Sequence, residues 1–254
     1  WKKDGSVSQN RVIDPMAAER RRSLIIKIVS AIALIVVAAV VIFWAVNKNS
    51  EDSATGGDSV PSVVTADGAI RITKAEAGTT PPAVVTVVED FQCPACQSFE
   101  SAYGPTLAKL SENPAVAIDY QTVTFLDRAS TTRYSSRAAN ASMCVAEATG
   151  KGGDFSTWLT FHNSLFANQP AEGGAGLDDR RLVSLAKDAG VEGAQQCIED
   201  QQFGQWIGRH SDEVMGSGVD GTPTVRINGE KVELTTPAEL EAAVLAAASA
   251  APAQ

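Results

Sequence analysis

Two cysteines three positions apart, Cys93 and Cys96, enclose Pro94 and Ala95 and follow closely on an apolar run from Ala83 to Val88. The run reads as a strand and the residues from Pro94 onward as a helix, so the pair sits at a strand-to-helix junction. There the first thiol lies beside backbone N–H groups that have no partner within the helix, and the helix dipole favours thiolate over thiol. Pro94 falls at the first helical position, where its missing N–H costs nothing and its fixed φ suits the helix. Cys96 is close enough to form a disulfide with Cys93. The chemistry implied is reversible thiol–disulfide exchange rather than a structural cross-link.

Zinc is the main rival for such a pair, but a zinc site needs four ligands, commonly a second C-x-x-C or two histidines. The other cysteines, Cys144 and Cys197, lie 48 and 101 residues beyond Cys96, so no metal is expected. Of the two histidines, His162 shares a helical face with Trp158 and Phe166 and reads as a packed core residue. Trp158 and Phe161 read as core in the same way. Proximity pairs Cys93 with Cys96 and leaves Cys144 and Cys197. In an oxidising compartment these two are expected to pair as a structural disulfide, closing a loop of about 50 residues and contributing about 3–4 kcal/mol. The alternative is two buried free thiols packed as small apolar groups.

The elements that position these residues are legible in outline. Ala69 to Thr73 and Ala83 to Asp90 read as strands, the second apolar enough to be buried on both faces. A helix is expected from Pro94 to about Ser111, kinked near Gly104-Pro105, and a third strand from Val116 to Leu126. Residues 133–216 then show helical periods: Tyr134 to Ala148, a stretch around Phe155 to Phe166, Leu177 to Ala189, and Gln195 to Met215. Asn228-Gly229 between Thr224–Ile227 and Glu230–Glu233 is a strong hairpin signal. Pro237 to Ala248 closes as an amphipathic helix. The folded domain is expected over 68–248, with a tail at 249–254.

Charge is placed unevenly along the 254 residues. Residues 1–48 carry 8 Lys/Arg and 3 Asp/Glu, a net of +5; the remainder carries 13 basic and 27 acidic residues, a net of −14. An acidic folded part excludes nucleic acid as a partner, because its phosphates would be repelled. Ile28 to Val46 is a run of 19 uncharged residues, about 29 Å long as a helix and close to the thickness of a bilayer core. Arg20, Arg21, Arg22 and Lys27 precede it. The expectation is a single-pass membrane helix at 28–46, residues 1–27 in the cytoplasm and everything beyond outside. A cleaved signal peptide would have a shorter apolar region and a clear small-x-small site. A twin-arginine signal at Arg21-Arg22-Ser23-Leu24 would carry a weaker apolar run. Residues 47–67, rich in Ser, Gly, Asp and Thr, read as a flexible tether.

The sulfur motif, the helical block about 133–216, and Gly221-Thr222-Pro223-Thr224 before the hairpin together resemble the DsbA-type thiol–disulfide oxidoreductases of the thioredoxin superfamily, most closely the membrane-anchored actinobacterial members. The resemblance covers residues 68–248. It implies an α/β thioredoxin-like fold with a helical insertion, Cys93 as the exposed nucleophile and Cys96 as the buried resolving thiol. It also implies a cis bond before Pro223, facing the disulfide, with Thr222 offering its backbone to an extended substrate segment. Two departures stand out. Strongly oxidising members carry a histidine between the cysteines where this chain has Ala95, so an oxidant of intermediate strength is expected, with a thiol pKa between the bounds of about 3.5 and about 7. Many members carry a buried acid six residues before the first cysteine, where Val87 stands. Glu89, of the same strand parity, is the candidate substitute as proton relay, unless Glu89 and Asp90 are merely the solvated end of the strand.

The expected activity is oxidation of exported cysteine-containing proteins, with no metal or organic cofactor. By resemblance, a quinone-linked membrane protein of the VKOR or DsbB kind would reoxidise the enzyme, and the chain's own helix would hold both together. The rivals are a disulfide isomerase or reductase, for which Thr222 is also seen, and a non-catalytic accessory or assembly subunit of an envelope membrane complex.

Overall fold

The computed structural model describes residues 56–233 and 236–250. The expected membrane helix at 28–46 and residues 1–27 lie outside the described residues. Among the described residues, no helix is long and apolar enough to cross a membrane.

The strands are β1 (Ile70–Thr73), β2 (Ala83–Glu89), β3 (Val116–Thr122), β4 (Thr224–Ile227) and β5 (Glu230–Lys231). The helices are α1 (Pro94–Ser111), α2 (Tyr134–Thr149), α3 (Ser156–Ala167), α4 (Asp179–Asp188), α5 (Gln195–Glu199), α6 (Gly204–Gly216) and α7 (Pro237–Ala250). One five-stranded sheet runs in the order β1-β3-β2-β4-β5. β2 pairs parallel with β3, from Ala83 opposite Val116 to Glu89 opposite Thr122, and antiparallel with β4. Its central place explains its β-branched composition. Val85 and Val87 enter the main core, and Val88 meets Val123, Val214 and Val219 in a second cluster. α1 and α7 pack together against β3 and β2, while α2 is the hub of the helical block, touching α3, α4, α5 and α6. The turn at Asn228-Gly229 has φ of +51° and +86°, the left-handed pair that a two-residue hairpin turn requires.

Three expectations need correction. β3 ends at Thr122, four residues early, because its partner β2 ends at Glu89. Beyond that point Thr124 N–H donates to Ser211 Oγ and Leu126 N–H to Asp90 Oδ2, and the chain turns into a 3-10 helix, Phe125–Ala129. The single helix expected over Gln195–Met215 is two. The break is at Gln201, φ +50°, and the next segment is tied down by Phe203 N–H donating to the buried Asn140 side chain. The domain also begins before residue 68. Gly57 N–H donates to Gln201 O, Ser62 binds the Glu147 carboxylate, and Val63 and Val64 pack against the core. A composition too polar to fold alone is held by partners supplied from the helical block. At the other end, α7 runs to Ala250, two residues into the expected tail.

Candidate active site

Cys93 is the N-cap of α1 and Pro94 its first residue, so the thiol sits where the helix leaves N–H groups free. β2 aims the chain at this point, and Asp90 shapes the turn between. The Asp90 carbonyl accepts from Cys93 N–H, and its fully buried carboxylate accepts from Gln92 N–H at 2.8 Å, Leu126 N–H at 2.9 Å and Ser135 Oγ–H at 2.7 Å. Burial pushes this carboxyl up to about 6 against those three bonds. Gln169, from the loop after α3, donates through Nε2 to the carbonyls of Phe91 and Cys93, both at 3.0 Å. Nothing in the local sequence marked Gln169 or Ser135 as belonging here; their partners lie 78 and 45 residues away.

Cys93 keeps 7% of its surface and Cys96 none, whereas Pro94 and Ala95 are exposed. The nucleophile implied by the resemblance is therefore more covered than expected. The reason is the loop before β4: Cys93 Sγ lies 3.4 Å from the Thr222 carbonyl, and the Thr222–Pro223 bond is cis. Both thiols are free. A hydrogen bond from Cys96 brings the Cys93 thiol down to about 5 against the cost of burial. The Thr222 side chain and the N–H groups of Cys96 and Ala95 help. The Cys96 thiol is driven far above its ordinary range by that same bond, by burial and by the charge of Glu89. The two sulfurs thus divide into a ready thiolate and a thiol that holds its proton.

Glu89 and Asp90 are both fully buried, so neither is a solvated strand end. Glu89 Oε1 meets His162 Nε2 at 2.5 Å. His162 lies in the core, ringed by Phe91, Tyr120, Trp158 and Phe166, and Trp158 donates to Ser142 Oγ. Its polar partner could not be read from the helical face alone. Cys144 and Cys197, 53 residues apart, form a disulfide joining α2 to α5 within the helical block. Beside the thiols, Phe99, Tyr103, Thr222, Pro223, Val225 and Val232 line a groove of about 500 Å³, with Phe99 and Tyr103 stacked at 4.7 Å.

A thioredoxin-type sheet carrying an acidic thiol at a helix start opposite a cis-proline defines a redox protein of the dithiol class. A thioredoxin family model matches residues 77–246. The crystal structure of DsbA from Mycobacterium tuberculosis in its oxidised form is 41% identical, with a TM-score of 0.63 over 72% of this chain and 94% of that one. The reduced disulfide oxidoreductase DsbG of the same organism is 39% identical, TM-score 0.61, over 76% and 98%. The chain belongs to the DsbA-like thiol–disulfide oxidoreductases of the thioredoxin superfamily. A curated relative, the serine/threonine-protein kinase PknE of M. tuberculosis, is 31% identical over 153 residues, 57% of this chain. The chain spans about a quarter of that protein's length (26%).

Proposed function

We propose that this protein introduces disulfides into exported proteins by exchange at Cys93–Cys96, outside the membrane. The observation that carries the reading is the pairing of a Cys93 thiol lowered to about 5 with a buried, proton-holding Cys96 beneath the Thr222–Pro223 loop. A substrate thiolate attacks Cys93 Sγ of the oxidised enzyme, forming a mixed disulfide and expelling Cys96 as thiolate. A second substrate thiolate then attacks the substrate sulfur, releasing the substrate disulfide and Cys93 thiolate. A thiolate this stable is a good leaving group, which favours oxidation of the substrate. The groove beside Phe99 and Tyr103 would take an extended substrate segment, with the backbone before Pro223 as pairing edge. Ala95 in place of a histidine supports an oxidant of intermediate strength. The uncharged run 28–46 and the basic residues before it support anchoring, and a quinone-linked VKOR- or DsbB-like protein would return the enzyme to its disulfide form.

The test is trapping in vivo with Cys96→Ser, which cannot resolve the mixed disulfide. Exported cysteine proteins and one membrane reoxidant are expected on Cys93. Trapped substrates that already contain disulfides would point to an isomerase or reductase, and an empty trap with undiminished cellular function would favour an accessory subunit.

A further inference from the structure

Two half-buried glutamines that the exchange steps do not use tie the dithiol turn to the helical block. Gln97 ends the first turn of α1, and Gln169 lies just beyond α3. Gln97 donates its backbone N–H to the Cys93 carbonyl at 3.1 Å and its side-chain amide to the Phe166 carbonyl at 2.7 Å. Gln169 does the reverse. Its backbone N–H goes to the Phe166 carbonyl at 3.2 Å, and its Nε2 to the Cys93 carbonyl at 3.0 Å. Each carbonyl thus accepts one backbone and one side-chain N–H, and the four bonds close a ring between the start of α1 and the end of α3. The second Nε2 hydrogen of Gln169 goes to the Phe91 carbonyl, also at 3.0 Å. All the side-chain partners are carbonyls, so each amide must present its nitrogen to them, and Gln169 spends both of its donors here. The side chains follow the same seam, with the rings of Phe91 and Phe166 5.1 Å apart.

We propose that Gln97 and Gln169 are positioning residues whose reciprocal bonds hold the Cys93 peptide, and with it the first turn of α1, in the geometry that stabilises the Cys93 thiolate. This role rests on the exchange reading above and adds to it the part of the helical block that tunes the leaving sulfur. Two physical effects support it. The Cys93 and Phe91 carbonyl oxygens are negative dipole ends in the reactive turn, and an N–H donated to each offsets that charge. Without those donors both oxygens would disfavour a thiolate beside them. The second effect is orientation. The Cys93 thiol is brought down to about 5 by its bond from Cys96 first, then by Thr222 and the N–H groups of Cys96 and Ala95. Those N–H groups belong to the first turn, which opens with the bond from Gln97 to Cys93, so a tilt of the Cys93 peptide moves them off the sulfur. Thr222 acts from its own loop before β4 and does not depend on the clamp. Through the Phe166 end, the clamp passes the placement of α3, which packs on both α1 and α2, to the dithiol.

The reduced full chain is titrated by thiolate absorbance at 240 nm and equilibrated with glutathione redox mixtures at pH 7. Gln169→Met, close in size but without donors, is expected to raise the Cys93 midpoint by about half a unit to one unit, the worth of one net hydrogen bond. The equilibrium constant for oxidising glutathione should fall by the same measure, about three- to tenfold. Gln97→Met keeps Gln169 on Cys93 but frees the α3 end, and should move both readings in the same direction by less. Asn168→Ala removes the neighbouring bonds to the Ser164 carbonyl and to Arg181. It should lower the unfolding midpoint and leave the Cys93 titration in place. A wild-type titration and glutathione constant in Gln169→Met, or an equal shift in Asn168→Ala, overturns the clamp. If Gln169→Met does not fold, Gln97→Met decides alone, and an unmoved titration there overturns it. Glutathione stands in for the protein substrate throughout. A wild type that fails to oxidise reduced exported proteins therefore overturns the exchange reading, while the clamp stands or falls on its own two readings.

Discussion

The division of labour between the two sulfurs has a measurable consequence for stability. The ordinary cysteine thiol titrates near 8.5, whereas Cys93 is brought down to about 5 by its bond from Cys96, with help from Thr222 and the N–H groups of α1. A group whose folded pKa is depressed contributes stability that is complete above the unfolded pKa and is lost as pH falls through the folded one. From pH 5 to pH 7 the reduced protein should therefore gain two pH units at 1.36 kcal/mol each, about 2.7 kcal/mol. Solvent at the open edge of the sulfur screens part of this, leaving about 2 kcal/mol. The oxidised protein has no such thiolate, so the gain belongs to the reduced form alone. Through the two-electron relation, 2 kcal/mol corresponds to about 40 mV towards a more oxidising potential. The assay is denaturant unfolding of both redox forms between pH 4 and 8, with thiolate absorbance at 240 nm to locate the titration. The midpoint should fall near 5, and Thr222→Val should move it upward by removing one hydrogen bond. A midpoint above about 7, or a stability difference that does not change between pH 4 and 7, refutes the account of the site.

Two further expectations concern the scaffold. Replacing Cys144 and Cys197 together by Ala should cost about 3–4 kcal/mol for the freed loop, read as a lower unfolding midpoint. The Cys93 titration should stay unchanged, because the disulfide lies in the helical block. Gly68 has φ +75°, and a Cβ there would lie 2.4 Å from His210 Cε1. Gly68→Ala should cost about 1–3 kcal/mol by thermal unfolding, while Gly78, also left-handed at φ +83° but with open space around it, should tolerate alanine better.

Much of this architecture follows from the chain read locally. The C-x-x-C pair after a β-branched run, Pro94 at the helix start and Asn228-Gly229 in the hairpin each carry their own backbone chemistry, and α1, α2, α3 and α7 kept their expected places to within one or two residues. Boundaries failed where another segment took over the backbone. Asp90 and Ser211 capture the chain after Thr122, and Asn140 anchors the segment after Gln201. Residues 57–64, too polar to fold alone, are held against the helical block.

What the sequence by itself determined is the reactive pair and its helix, because a strand-to-helix junction with proline at N1 acts through neighbouring peptide groups. Only the tertiary structure decided how that pair is tuned. Thr222 reaches Cys93 across 129 residues, and Glu89 finds His162 across 73. Local periodicity can place His162 on a buried face, but the partner waiting there is set by how α3 packs on β2.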